Sequence, residues 1–282
     1  MLMSTSRGRQ QLPMILALTF LLFSPSSLDA TTWAVPIRPL SNDEKAELGI
    51  SAAEVAGIGI VTAMDDSIIG GRAVSSMVVS PVLSIKGSLP LRQIKIYFPP
   101  FTNIGRSTVQ SILKRGPGLI AYLLHNVDGK WVVMENPNFF HAGLVEVTTE
   151  NRAEIESTLR RAVLNSLDAS LATRADVVVV GTLSQGRDII TYYGVRTRYT
   201  HVNVDSVIIG GPVGSSMRVI TLGGALDFGG PAVLFVKAVS DDLFEVVGFR
   251  RGARAIADNH LKTAGESLAE FANRIRLAAA GR

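Results

Sequence analysis

Three tyrosines and two arginines lie close together in one segment of the second half of the chain. In an extended strand alternate residues point to opposite faces, so Tyr192, Arg196 and Arg198 would share one face, and Tyr193 and Tyr199 the other. Aromatic rings stack on sugars and bases, and a neighbouring guanidinium adds charge and cation–π attraction. The segment therefore predicts a ligand-binding site made of Tyr192, Tyr193, Arg196, Arg198 and Tyr199.

The same segment also fits a hairpin arm exposed to solvent. In that interpretation its charges only keep an edge strand from pairing with other chains. The corresponding part of the first half, residues 65–74, contains no aromatic residue and a single arginine, Arg72. If the segment binds a ligand, we expect the second half of the chain to make the contact.

Residues with catalytic or metal-binding chemistry occur without a recognised spacing. The chain has no cysteine and four histidines, and no two histidines have the His-Glu-x-x-His spacing of a zinc site. Adjacent aspartates, at 65–66 and 241–242, rarely have the distinct environments that an acid–base pair needs. No serine lies in Gly-x-Ser-x-Gly. The sequence therefore predicts no catalytic residue, no metal site and no cofactor.

The first thirty residues have the pattern of a secretory signal peptide. Arg7 and Arg9 precede an apolar run from Pro13 to Phe23, and a short segment then ends at Ala30. The apolar run is shorter than the roughly 20 residues of a membrane-spanning helix. We predict cleavage after Ala30, a periplasmic or secreted location, and no transmembrane segment in the mature chain. A membrane anchor that is not cleaved is the alternative.

Composition excludes several classes of protein. With 47% apolar and 18% charged residues the chain is not intrinsically disordered. Without cysteine it is not a small domain held together by disulfides. A net charge of +4 over 282 residues is too small an excess to indicate an anionic partner. The length is sufficient for two domains with packed cores.

The valine run Val177–Val180, followed by Gly181, predicts a strand that is buried on both faces. It begins the second of two similar units, and the first begins at Val55. Four further pairs of strand-like segments follow in the same order: Val78–Ile85 with Val202–Ile209, Gln93–Tyr97 with Met217–Leu222, Gly116–Leu123 with Gly230–Val236, and Trp131–Met134 with Phe244–Val247. A shorter match, of Ile68–Met77 with Ile208–Met217, conflicts with this order and leaves open an insertion in the first unit.

Each unit is predicted to end in a helix. In the first, Asn151 and Glu154 have the spacing of a capping box before an apolar stripe. In the second, an apolar stripe with helical spacing runs from Leu261 to Ile275. A short helix is also predicted from Ser41 to Leu48, because Ser41 and Glu44 form a second possible capping box.

These elements predict a mostly β protein with α-helices, a tandem duplication of a small five-stranded barrel with a helix after each copy. Closing a sheet into a barrel removes its exposed edges. The predicted domains are a signal peptide at residues 1–30, a lead-in at 31–50, a first barrel plus helix at 51–172 and a second at 173–282.

The strand patterns of the two units, best over residues 173–260 and less clearly over 51–147, resemble bacterial exported domains of the OB type, the oligonucleotide/oligosaccharide-binding barrel. They are more distantly similar to the netrin-like modules of tissue inhibitors of metalloproteinases. The resemblance implies an OB-like barrel with added helices. Those inhibitors act through a cysteine at the mature N-terminus, and this chain has none, so their mechanism does not transfer.

The sequence favours an exported, non-catalytic binding or interaction protein of unknown ligand. Its partner is expected to be a protein or polysaccharide of the cell envelope rather than nucleic acid. One alternative is a structural or assembly component of the envelope. Another is a hydrolase whose site is assembled from residues distant in sequence, for example His125 or His141 with Asp128.

Overall fold

The computed structural model describes residues 39–69, 72–90, 92–99, 104–184, 186–190, 196–222, 229–262 and 266–281. The predicted signal peptide and residues 31–38 of the predicted lead-in lie outside the described residues. In the described part, none of the helices combines the length and the apolar character needed to cross a membrane.

The first unit is a closed barrel of five strands. Its elements are α1 (Asn42–Ala52), β1 (Val55–Ile69), β2 (Arg72–Lys86), β3 (Ile94–Tyr97), α2 (Ile104–Leu113), β4 (Gly118–Val127), β5 (Lys130–Val133), a 3₁₀ turn (Phe140–Gly143), β6 (Leu144–Val147) and α3 (Arg152–Asn165). The strands pair in the order β1-β2-β3-β5-β4, and β4 pairs with β1 to close the barrel. The β3–β5 pairing is parallel, and β6 pairs with β4 outside the closed ring.

The second unit repeats this barrel. Its elements are α4 (Asp168–Arg174), β7 (Val177–Leu183), β8 (Arg187–Ile190), β9 (Arg196–Ile209), β10 (Ser216–Leu222), β11 (Gly230–Ser240), β12 (Leu243–Val246), a 3₁₀ turn (Phe249–Gly252), β13 (Ala253–Ala257), β14 (His260–Leu261) and α5 (Leu268–Ala280). The closed order is β7-β9-β10-β12-β11, with β11 returning to β7. The β10–β12 pairing is parallel, as in the first barrel.

Both predicted barrels, each with a helix after it, are therefore confirmed. The shared order also decides between the two sequence alignments. Ile69 ends the first strand of its barrel, whereas Ile209 ends the second strand of the other. The shorter match thus joins positions that are not equivalent, and the five-strand alignment is correct.

Alternate residues of the strands contribute to two cores in each barrel, one in the interior and one between the outer face and the helices. In β7, Val177 and Val179 point into the barrel interior, whereas Val178 and Val180 point outward against helices. All four valines are 0–8% exposed, so the strand is buried on both faces as predicted. β4 alternates in the same way, with Tyr122 inside the first barrel.

Helix α1 joins the two barrels. Its residues pack in one cluster with Ile58 of β1 and with Phe249, which belongs to the second unit. The buried carboxylate of Glu47 accepts hydrogen bonds from Asn165 at 2.6 Å and from Arg174 at 3.0 Å. A helix that the sequence places in a lead-in is thus part of the inter-barrel core.

One of the two predicted capping boxes is present. Ser41 and Glu44 form the predicted capping box, and the helix they start extends to Ala52. Asn151 does not cap α3, because its side chain accepts a hydrogen bond from the backbone of Thr148 instead.

The predicted start of the last helix was wrong. Leu261 lies in β14, and α5 begins only at Leu268, where Ser267 and Glu270 form a capping box. The predicted domain boundaries stay predictions.

Candidate functional site

Helices pack on the outer face of the first and fourth strands in both barrels. α1 and α3 pack on Ile58 of β1 and Leu123 of β4. α4 and α5 pack on Val178 of β7 and Phe235 of β11. Among the described residues, neither of these two clusters includes a residue of β3 or β10. The outer face of the third strand, with the part of the second strand paired to it, is free of these helices, and we call it the open face of each barrel.

On the open face of the second barrel, Tyr199 and His201 of β9 lie beside Arg218 of β10. The strand register places His201 directly opposite Arg218. Thr200, between the two aromatic residues, is buried on the interior side, which fixes Tyr199 and His201 on the outer side. The two rings meet edge to face with their centroids 5.3 Å apart.

Arg218 is also held by Asp242, in the turn that precedes β12. Its side chain forms an ion pair with Asp242, and its backbone N–H donates to the carbonyl of Asp242 at 3.1 Å. Hydrogen bonds to Asp242 first, and then to Tyr199, raise the pKa of Arg218 above its ordinary value. The guanidinium is therefore a fixed cation next to the tyrosine ring.

The structure places the five predicted site residues in different situations. Tyr192 and Tyr193 lie outside the described residues. Arg196 begins β9, and its side chain is also outside the description. Arg198 and Tyr199 are half-buried neighbours, and strand alternation directs them to opposite faces as the sequence predicted. Arg198 shares the side of buried Thr200, so only Tyr199 of this pair lies on the open face.

The alternative interpretation was a hairpin arm with an edge strand protected by charge; the described residues form such an arm, but from Thr197 to Tyr199 its second strand is not an edge. β9 pairs with β8 over Arg196–Tyr199 and with β10 over Thr197–Asn203. A strand that is paired on both sides has no edge to protect. The arm is a β-ribbon that extends the second barrel.

The first barrel carries a comparable group that the sequence reasoning missed. Buried Ile96 and Val219 are equivalent, because each is an interior residue of the third strand that pairs with an aromatic residue of the fifth, Trp131 or Phe244. Lys95 and Arg218, one residue earlier, therefore occupy the same position.

The aromatic residue lies on the other strand of the pair in the first barrel. Tyr97 of β3 is opposite Ser76 of β2, whereas in the second barrel Tyr199 of β9 is opposite Ile220 of β10. The sequence signal was available: in Ile94-Lys95-Ile96-Tyr97 the basic and aromatic residues alternate with buried isoleucines.

Two ammonium groups approach Tyr97. The Lys95 Nζ lies 5.7 Å and the Lys130 Nζ 5.4 Å from the ring centroid, within the range of a cation–π interaction. Lys95 also pairs with Asp65, Nζ to Oδ2, at 3.1 Å. In the described part of the chain no ion pair of Lys130 occurs.

This arrangement provides ring stacking, positive charge and a carboxylate acceptor, which are the contacts of a binding surface. Within the described ranges no group of three or more histidine, aspartate or glutamate side chains is placed to hold a metal ion. The geometry supports recognition of a ligand that has both a flat apolar face and negative charge.

Comparisons with known proteins add little. No family model and no curated protein matches the sequence. Ten chains of solved structures match. Among them is a deletion mutant of the single-stranded DNA binding protein from Thermus aquaticus, at 10% identity and a TM-score of 0.19, over 68% of this chain and 89% of that chain. A similarity at that TM-score carries no argument, and the OB-like fold rests on the strand order.

Proposed function

We propose that this chain is an exported, non-catalytic binding protein that acts in the periplasm or outside the cell. Its partner is a protein or polysaccharide of the cell envelope, contacted through the open face of the second barrel and the β8–β9 ribbon. The observation that carries the proposal is the group of Tyr199, His201 and Arg218, which lie together on the part of the barrel that the helices leave open.

The fixed geometry of this group favours a role in binding. Tyr199 lies within a strand that is paired on both sides, and Arg218 is tied to Asp242. Side chains that are already ordered lose little conformational entropy when a ligand binds. Arg198, on the other face of the ribbon, would make a separate part of the contact, and Tyr192, Tyr193 and Arg196 stay predicted members of the site.

The binding part of the proposal is tested by capturing partners from envelope extract. The protein with residues 1–30 removed serves as bait, next to Tyr199→Ala and an Arg196→Ala/Arg198→Ala double variant. We expect both variants to retain less of the captured partner while their melting temperatures stay within a few degrees of the parent. Lys237→Ala, an exposed lysine on β11, is the control.

A partner retained equally by the parent and both variants would place the contact elsewhere. Export is tested separately, by mass spectrometry of the protein from its native host. A mature N-terminus at Thr31 is expected, and full-length protein in the cytosol would contradict the export.

A further inference from the structure

The open face of the first barrel has a ring and two cations that no part of the proposed contact uses. Tyr97 projects from β3, Lys95 precedes it by two residues on the same face, and Lys130 begins β5. Both ammonium groups lie within 6 Å of the ring centroid, at 5.7 and 5.4 Å. Cations at this distance are attracted to the face of the ring.

The backbone under this group is rigid. β3 pairs with Ser76 of β2 on one side and with Val132 of β5 on the other at the position of Tyr97. Ile94 and Ile96, on the opposite side of the strand, are anchored in the barrel core. The position of the Tyr97 ring on the barrel is therefore set by the strand before any ligand arrives, which lowers the entropic cost of binding.

The chemistry of the group specifies the type of ligand. A tyrosine ring stacks on flat apolar surfaces, and the ammonium group of Lys130, together with that of Lys95, which is already paired with Asp65, favours an anion beside the stacked moiety. The carboxylate of Asp65, paired with Lys95 and exposed to solvent, offers acceptor oxygens for hydroxyl groups. A sugar ring that bears a carboxylate satisfies all three, because it has an apolar face, hydroxyls and a negative charge.

The single ring argues against single-stranded nucleic acid. Proteins that bind it stack successive bases on several aromatic side chains. Along the described part of β3 and the residues of β2 paired with it, Tyr97 is the only aromatic residue on the outer face. We propose that Tyr97, Lys95 and Lys130 form a second binding site, which takes an acidic polysaccharide. This inference rests on the proposed binding function and assigns a ligand class to the other barrel.

Calorimetric titration with alginate oligosaccharide, a polymer of carboxylated sugars, tests the site at low ionic strength. Tyr97→Ala is expected to weaken binding about tenfold or more, and Lys130→Ala about three- to tenfold. Lys130→Ala should also flatten the salt dependence, because it removes one screened charge. Tyr97→Phe, which keeps the ring, is expected to bind within about twofold of the parent.

Controls separate loss of contact from loss of fold. Lys130 is exposed, so Lys130→Glu should leave the melting temperature unchanged and abolish alginate binding. Lys237→Ala removes a lysine from the second barrel and should bind like the parent. Neutral cello-oligosaccharide should bind at least about tenfold more weakly than alginate, since it lacks the carboxylates that the lysines would pair with.

Three outcomes would overturn the inference: no alginate binding, alginate binding that is indifferent to Tyr97→Ala and Lys130→Glu, or tighter binding of oligothymidylate that these variants abolish. The last would assign the site to nucleic acid. Failure here is distinguishable from failure of the proposed function, because partner capture through the second barrel depends on Tyr199 and is unaffected by Lys130→Glu.

Discussion

Lys95 and Arg218 occupy the same position on the third strand of their barrels, although their cross-strand partners differ. Lys95 is opposite Val78, and Arg218 is opposite His201. Each directly precedes a buried residue that faces the fifth strand. Both barrels therefore carry a cation at the same position of the third strand. The neighbouring tyrosine lies on the third strand, β3, in the first barrel and on the second strand, β9, in the second barrel.

The resemblance between the barrels continues past the fifth strand. A Phe-x-x-Gly turn precedes β6 as Phe140–Gly143 and β13 as Phe249–Gly252. The glycine of each turn lies against a backbone carbonyl. A Cβ built on Gly143 would lie 2.0 Å from the oxygen of Met134, and one built on Gly252 would lie 1.8 Å from the oxygen of Val247. The duplication thus includes a close backbone approach that only glycine allows.

Gly252→Ala is expected to lower the free energy of unfolding by about 3 kcal/mol, because a backbone carbonyl cannot move aside as a flexible side chain can. Gly211→Ala is the matched control, since a Cβ at that position would meet no atom within 4 Å, and its effect should stay within about 0.5 kcal/mol. Urea unfolding followed by circular dichroism measures both. Equal stability of the two variants would contradict the close approach.

Glu47→Ala is expected to destabilise the joint between the barrels by about 2 kcal/mol. Glu47 is only 8% exposed, and its loss leaves Arg174 without its carboxylate partner. Removing one member of a fully buried pair costs about 3–5 kcal/mol, and the Arg174 side chain, 34% exposed, regains part of that from water.

The control for this joint is Asp43→Ala. Asp43 is also on α1, and it pairs with Arg161 at 2.8 Å, but the two side chains are 56% and 53% exposed. An exposed pair of this kind contributes at most about 1 kcal/mol. If thermal unfolding shows equal losses for Glu47→Ala and Asp43→Ala, burial at the joint has no energetic role.

The sequence predicted a secondary-structure element correctly where the residues of that element alone determine its conformation. The β7 strand could be predicted from its four valines alone, and the hairpin turn from Asp128-Gly129 alone. Both residues of that turn have positive φ. The predicted start of the last helix was wrong, because apolar residues continue at helical spacing back to Leu261, which lies in β14 and pairs with Ile256 of β13. Periodicity does not distinguish a stripe that begins in a short strand from one that is helical throughout.

The candidate site could not be predicted in full, because its contacts depend on how separate strands pair. Tyr199 could be selected for its residue type, but its contact with Arg218 depends on the register between β9 and β10. The ion pair to Asp242 requires the parallel β10–β12 pairing as well. Tyr97 was not predicted, because the first barrel carries its ring on the third strand, whereas the predicted site lies on the hairpin arm of the second.

Lys86 should make stability depend on pH between about 8 and 10.5. Its Nζ donates to the carbonyl oxygens of Ile50, at 2.5 Å, and Ala53. Burial, and then the charge of Arg251, lower the pKa of Lys86 from 10.5 to about 8, against an opposing effect of Glu54. Between these values the unfolded chain holds more protons than the folded one, so stability rises with pH.

The measurement for Lys86 compares the parent with Lys86→Met at pH 7.5 and pH 10. The parent should gain stability relative to the variant over this interval. Arg251→Ala is the second comparison, since removing a neighbouring cation raises the pKa of Lys86 and moves the gain to higher pH. A stability difference between parent and Lys86→Met that does not change with pH would show that Lys86 has its ordinary pKa.

Tyr122 should show the opposite dependence at higher pH. Its ring lies against two glycines of β1, where a Cβ on Gly57 would be 2.9 Å from the Tyr122 hydroxyl and a Cβ on Gly59 would be 3.3 Å from the ring. Burial raises the pKa of Tyr122 from 10.0 to about 12. The folded state therefore keeps its proton where the unfolded state has lost it, and the stabilisation, complete below pH 10, is lost as the pH rises through 12.

Absorbance titration at 295 nm should show one tyrosine ionising near 12, and Tyr122→Phe should remove that step and make stability less sensitive to pH between 10 and 12. If the late step persists in Tyr122→Phe, another tyrosine is responsible and the phenol in the barrel core is not protected.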